Sequence, residues 1–148
     1  MIDIRPVIRA VALSLLLSLV AFSGLQCARA QSLQAIPVHF ISLASTNSTL
    51  VSGAGQNILK WAIASNNTGT VNFLKFYNKA TAPVCGTDVP VLTIMVPTNA
   101  TGGGVTSVSF DDTRFTLGIG FCLTALVADN DTGPAQAGIA ISLGFLGL

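Results

Sequence analysis

The sequence predicts an all-β fold: a single-domain antiparallel β-sandwich of jelly-roll type, with about eight strands, behind an N-terminal signal peptide. Three observations carry that expectation. Beyond Gln31 no long stretch keeps apolar residues at helical spacing; short β-rich runs stand there instead. Clusters of Gly, Asn, Thr, Asp and Pro divide those runs at the spacing of sandwich turns. Finally, 51% of the 148 residues are apolar and only 9% charged, which supplies a core and argues against a disordered polymer.

Taken in order, Arg5 and Arg9 precede an apolar run from Ala10 to Leu25, followed by Ala28-Arg29-Ala30 and Gln31. A positive start, an apolar middle and small residues at the last and third-last positions make 1–30 a signal peptide, cleaved between Ala30 and Gln31. The alternative, an uncleaved anchor, fares worse, because the run is interrupted by Ser14, Ser18, Ser23 and Gly24 and falls short of the ~20 residues that span a bilayer. Lipid attachment at Cys27 is disfavoured by the bulky Gln26 before it. The expected domain is 31–148, exported to the periplasm, cell surface or medium, with no membrane association after cleavage.

The candidate strands are Val38 to Ala44, Ile58 to Ser65, Val71 to Asn78, Val91 to Val96, Val105 to Phe110, Arg114 to Leu117, Phe121 to Val127 and Ile139 to Leu146. Residues two apart share a strand face, so four stripes are expected to face the core. They are Leu59, Trp61 and Ile63; Leu92, Ile94 and Val96; Phe121, Leu123, Ala125 and Val127; and Ile139, Ile141, Leu143 and Phe145. The opposite parities, such as Cys122 and Thr124 or Ala140, Ser142 and Gly144, are small or mildly apolar rather than charged. Part of that surface is expected to be covered by another chain, the alternative being a plain Ser/Thr surface. Between strands, Ser65 to Thr70 supplies Asn and Gly for a tight reversal, Pro83, Gly86 and Pro90 interrupt a longer connection, and Gly102-Gly103-Gly104 resists a fixed conformation.

Removing residues 1–30 leaves Cys85 and Cys122 in an oxidising compartment, where one disulfide is the simplest pairing. Closing that loop would remove roughly 4 kcal/mol of unfolded-state freedom. Two buried free thiols remain the alternative.

Little else speaks for chemistry. The mature chain has four cations (Lys60, Lys75, Lys79, Arg114) against five Asp and no Glu, so it offers no basic surface for nucleic acid. His39 is the sole imidazole, and with two cysteines it cannot complete a zinc set. Asp111-Asp112 and Asp129-Asn130-Asp131-Thr132-Gly133 are the acidic clusters; the second resembles a calcium loop but lacks the later bidentate Glu, and turn formation by Asx side chains accounts for both. The Asn-x-Ser/Thr triplets at Asn47, Asn66, Asn99 and Asn130 follow from loop composition, and the glycine triplet lacks the spacing and Lys of a phosphate loop. No catalytic residue, cofactor or metal is expected.

The stretch Phe73 to Ile94, FLKFYNKATAPVCGTDVPVLTI, resembles a segment of small structural proteins of tailed phages and prophages. Gly118 to Ala125 and Ala128 to Thr132 are similar to that family's later strand and loop, so the resemblance runs from about Thr46 to Leu143. It implies a β-sandwich virion component, such as a capsid decoration, head-fibre or tail-associated subunit, that binds copies of itself or a neighbouring shell or surface protein. Two features depart from the family, the export signal and the two cysteines, and both suggest a relative moved outside the cytoplasm. The expected function is therefore noncatalytic assembly or attachment. A secreted carbohydrate-binding or adhesin-type module is the alternative, with Trp61 and Tyr77 as its available platforms; a small outer-membrane barrel follows, and a secreted enzyme comes last.

Overall fold

The computed structural model describes residues 34–53, 55–99 and 104–148. The expected signal peptide, its expected cleavage site at Ala30 and Gln31, and most of the glycine triplet lie outside the described residues. Eight strands are present among them: β1 (Ile36–Ile41), β2 (Thr49–Ser52), β3 (Asn57–Ser65), β4 (Asn72–Asn78), β5 (Leu92–Val96), β6 (Val105–Phe115), β7 (Ile119–Thr124) and β8 (Ala140–Gly147). They form two four-stranded sheets, a front sheet in the order β1-β8-β3-β6 and a back sheet in the order β2-β7-β4-β5, every pairing antiparallel. This interleaving of early and late strands is a jelly roll, and the two sheets do not close into a barrel, which removes the membrane-barrel reading.

The core lies between the sheets. Leu59, Ile141 and Leu143 from the front meet Leu74, Phe76, Phe121 and Leu123 from the back. Edge-to-face rings tie the layers together: Phe40 of β1 lies 5.0 Å from Phe121, and Phe76 lies 6.3 Å from Phe110 of β6. Such contacts add to the area they bury because ring edges and faces carry opposite partial charge.

The stripes on β5 and β8 fall as expected, with Ile94, Val96, Ile141, Leu143 and Phe145 buried; Ile139 is buried just ahead of β8. Three expectations are corrected. On β3 only Leu59 keeps its face. The register slips between Leu59 and Trp61, where β3 has one residue more than β8 and β6 has two more than β3. Each extra residue reverses the parity that follows, so Ala62 and Ala64 point inward while Trp61 and Ile63 turn out. On β7 the ladder ends at Thr124, so Val127 is exposed on the following loop. The strand list also shifts: Val105 to Phe110 and the first two residues of Arg114 to Leu117 belong to one long β6 that ends at Phe115 and whose irregular middle holds Asp111-Asp112, which is therefore no turn; Thr116 and Leu117 lie beyond it. The added strand, β2, is four residues of Thr, Leu, Val and Ser, held by pairing with β7 rather than by its own alternation.

Candidate docking surface

The two sheets treat their outer faces differently. On the back sheet, Lys75 and Tyr77 alternate with the core residues Leu74 and Phe76 and so point away from the core, yet both are 0% exposed. Cys122 and Thr124 on β7 are equally buried. The cover is the chain itself: the 79–91 connection folds up over β7, and the 125–139 connection meets it. The Cys85–Cys122 disulfide, with Cα atoms 6.0 Å apart, fastens the first loop to the sheet. Pro83 sits against Gly120, where a Cβ would come within 2.8 Å of the proline ring. Inside the loop the Asp88 carboxylate accepts from Lys79 Nζ at 2.5 Å and from the Val84 N–H at 2.6 Å, and these bonds hold its pKa below the usual carboxylate value. Gly86, with φ 82°, lies so close to Thr132 that any side chain there would collide with it.

Beneath this clasp, Lys75 donates from Nζ to the Ala128 carbonyl. Burial lowers the Lys75 pKa, an effect opposed by the charges of Asp131 and Asp129. Burial raises the Tyr77 pKa, helped by Asp129 and Asp88. The Tyr77 hydroxyl is buried without a hydrogen-bond partner. Burial works against ionisation of Asp131 too, but the N–H groups of Gly133 and Leu126 outweigh it and its pKa falls. Its two oxygens are thus occupied by backbone donors, as the turn reading of this cluster expects. No metal-ligand cluster is present among the described residues.

The front sheet's outer face carries no such cover from the described loops. Register alignment places twelve outward positions in three rows across β1, β8, β3 and β6: Ile41, Ala140, Ser65 and Val105; His39, Ser142, Ile63 and Ser107; Pro37, Gly144, Trp61 and Ser109. None is Lys, Arg, Asp or Glu. Of the nine charged residues beyond residue 30, five (Lys75, Lys79, Asp88, Asp129, Asp131) serve the back of the molecule, and the other four (Lys60, Asp111, Asp112, Arg114) lie on β3 and β6 at or beside the bulge. Ile63 is 40% exposed and Ile41 57%. The Trp61 indole lies over Gly144, which has no side chain to obstruct it. His39 sits in this field, its Nδ1 2.9 Å from Ser142 Oγ.

The sheet edges, by contrast, discourage strand addition. β1 carries Pro37; β2 is four residues with a bulge; β5 is five residues followed by Pro97; β6 has its irregular middle with exposed Asp111 and Arg114.

Of the expected site residues, Cys85 and Cys122 are brought together. Asn47 and Asn66 use their side chains to hold their own loops, bonding Leu43 and Thr70 respectively. What the sequence reading missed is the buried Lys75 and Tyr77. Their signal was a lysine placed between apolar residues on a strand whose following loop carries Pro83 and Cys85. Comparison with protein-family models, with curated proteins and with solved structures finds no match for the chain.

Proposed function

We propose that this protein is a noncatalytic structural subunit, exported from the cell, that docks on another protein through the outer face of its front sheet. One observation carries the reading: the chain covers its back sheet with its own cross-linked loops and leaves the outer face of the front sheet open, with no charged residue at its twelve aligned positions and with Ile41, Ile63 and Val105 exposed. Uncharged faces of this kind are what interface centres are made of, whereas solvated faces are rich in Lys and Glu. The guarded edges direct association to the face rather than to sheet extension. A disulfide suits an oxidising compartment and so supports export, as does the signal-like N-terminus. The resemblance of Phe73 to Ile94 to phage structural proteins supports assembly into a shell or appendage. That segment runs from Phe73 in β4 through the clasp to Ile94 in β5, so its likeness lies in the back of the molecule and not in the docking face.

Replacing Ile63 with Asp should release the protein from the particle or cell-surface fraction with which it sediments. Val89→Asp, on the clasp at 77% exposure, should leave it there. Equal behaviour of the two variants refutes the reading.

Trp61, opposite Ser109 and Gly144 on an open face, favours a second reading as a glycan platform. Tyr77, the other aromatic considered for that role, is buried. Glycan-array binding abolished by Trp61→Ala would establish the sugar reading; silence on the array removes it.

A further inference from the structure

We infer that the Cys85–Cys122 bond is a thiol-exchange site, at which a small thiol attacks Cys85 while the Lys75 ammonium and the Tyr77 hydroxyl receive Cys122 as the departing thiolate. The inference stands apart from the docking reading and holds or fails without it.

The register of the back sheet carries the argument. Lys75 of β4 lies directly opposite Cys122 of β7, and Tyr77, opposite Gly120, is the diagonal neighbour of Cys122 on the same outer face. Directly opposite residues have Cβ atoms about 4.5–5.5 Å apart, and a diagonal neighbour is within reach of an aromatic side chain. Lys75, Tyr77 and Cys122 are all fully buried beneath the clasp.

Both groups beside the sulfur are donors with capacity to spare. Among the described residues Lys75 gives one hydrogen bond, to the Ala128 carbonyl, which is fewer than an ammonium can make. The Tyr77 hydroxyl gives none. A disulfide sulfur is too weak an acceptor to answer either group, whereas a thiolate answers both and supplies the counter-charge that burial denies the ammonium. The nearby carboxylates are engaged elsewhere: Asp131 accepts from the N–H groups of Gly133 and Leu126, Asp88 is paired with Lys79, and Asp129 is exposed.

The two sulfurs also differ in access. Cys85 is half-buried on the clasp, and Cys122 is sealed under it. An incoming thiolate therefore meets Cys85 Sγ. A new sulfur–sulfur bond forms there as the old one breaks, and the electron pair of the old bond leaves on Cys122 Sγ, beside Lys75. A second thiolate then attacks the first thiol's sulfur in the mixed disulfide, which frees Cys85 as a thiolate and joins the two outside sulfurs to each other. The protein gains the two electrons that the thiols lose. A cation beside a cysteine lowers its pKa, and the thiol of lower pKa leaves faster.

Glutathione is the probe, applied without denaturant to the protein purified as the cell processes it, with acid quenching and mass spectrometry to read the rate and to locate the mixed disulfide. Expected are attachment at Cys85, a rate that rises with glutathione concentration, and slowing of at least about 10-fold in Lys75→Met and about 3-fold in Tyr77→Phe. A lysine that serves only to hold the clasp gives the opposite sign, because its loss loosens the cover and speeds reduction. Tyr77→Phe removes no bonded group, so it decides the matter if Lys75→Met fails to fold. Attachment at Cys122, a rate indifferent to glutathione concentration, or variants reduced as fast as the wild type or faster overturn the inference.

Discussion

The outer faces of the two sheets are built by the same alternation of strand positions, yet they end in opposite states. Behind, the 79–91 and 125–139 connections fold back and bury Lys75, Tyr77, Cys122 and Thr124; in front, the same parity leaves Ser65, Ser107, Ser109 and Ile63 open. The difference lies in the connections and not in the strands. Pro83 and Pro90, the disulfide and the Lys79–Asp88 pair all belong to the back, and they convert what looks in sequence like a surface into a second, minor interior. A bland strand face therefore does not by itself mark a binding site: it marks either a partner or a loop long enough to replace one.

That contrast can be broken most severely at the disulfide. Cys85→Ala/Cys122→Ala should lower stability to denaturant by about 4 kcal/mol, the loop-closure value for this spacing, and should make Lys75 open to amine acylation under native conditions. Mass spectrometry of the acylated protein reads the second effect. If Lys75 stays protected in the double variant, the clasp is held by packing alone.

A smaller and reversible loosening is expected in acid. Asp88 and Asp131 have folded pKa values below their ordinary 3.8, so each contributes stability that is complete above that value and lost as pH falls through the lower, folded one. Urea midpoints should therefore fall below about pH 4, and Asp88→Asn should flatten that decline while lowering stability at neutral pH. A pH profile unchanged by the substitution would place the acid sensitivity elsewhere.

The smallest effect sharpens the comparison instead of breaking it. Tyr77→Phe removes a buried hydroxyl that has no partner, so it should be neutral or should stabilise by up to about 1 kcal/mol in thermal or urea unfolding. A loss of more than that would reveal a bonded water or ion beneath the clasp.

Much of the architecture was legible beforehand because strand parity is a strict rule wherever the ladder is regular. Ile94 and Val96, or Ile141, Leu143 and Phe145, follow from alternation alone. Legibility failed where one residue changed the count. Nothing in Leu59-Lys60-Trp61 announces a bulge, and a single inserted position carried Trp61 and Ile63 from the expected core to the outer face. β2 escaped notice because four residues leave no period to detect. The docking face inherits the first failure: Ile63 belongs to it only because of the slip at Lys60. The clasp was legible in part, since Cys85 and Cys122 suggested a link, but its burial of a lysine depends on where a loop lands, and no local pattern encodes that.

The pairing of the first strand with the last has a mechanical consequence. Ile36 lies opposite Phe145, so the chain enters β1 and leaves β8 at the same end of one ladder. Tension applied between those two points would peel the bonds apart one after another, at low force, instead of shearing them all together. A subunit that must resist a flow or a pulling appendage is therefore better gripped by its broad side than tethered through both extremities.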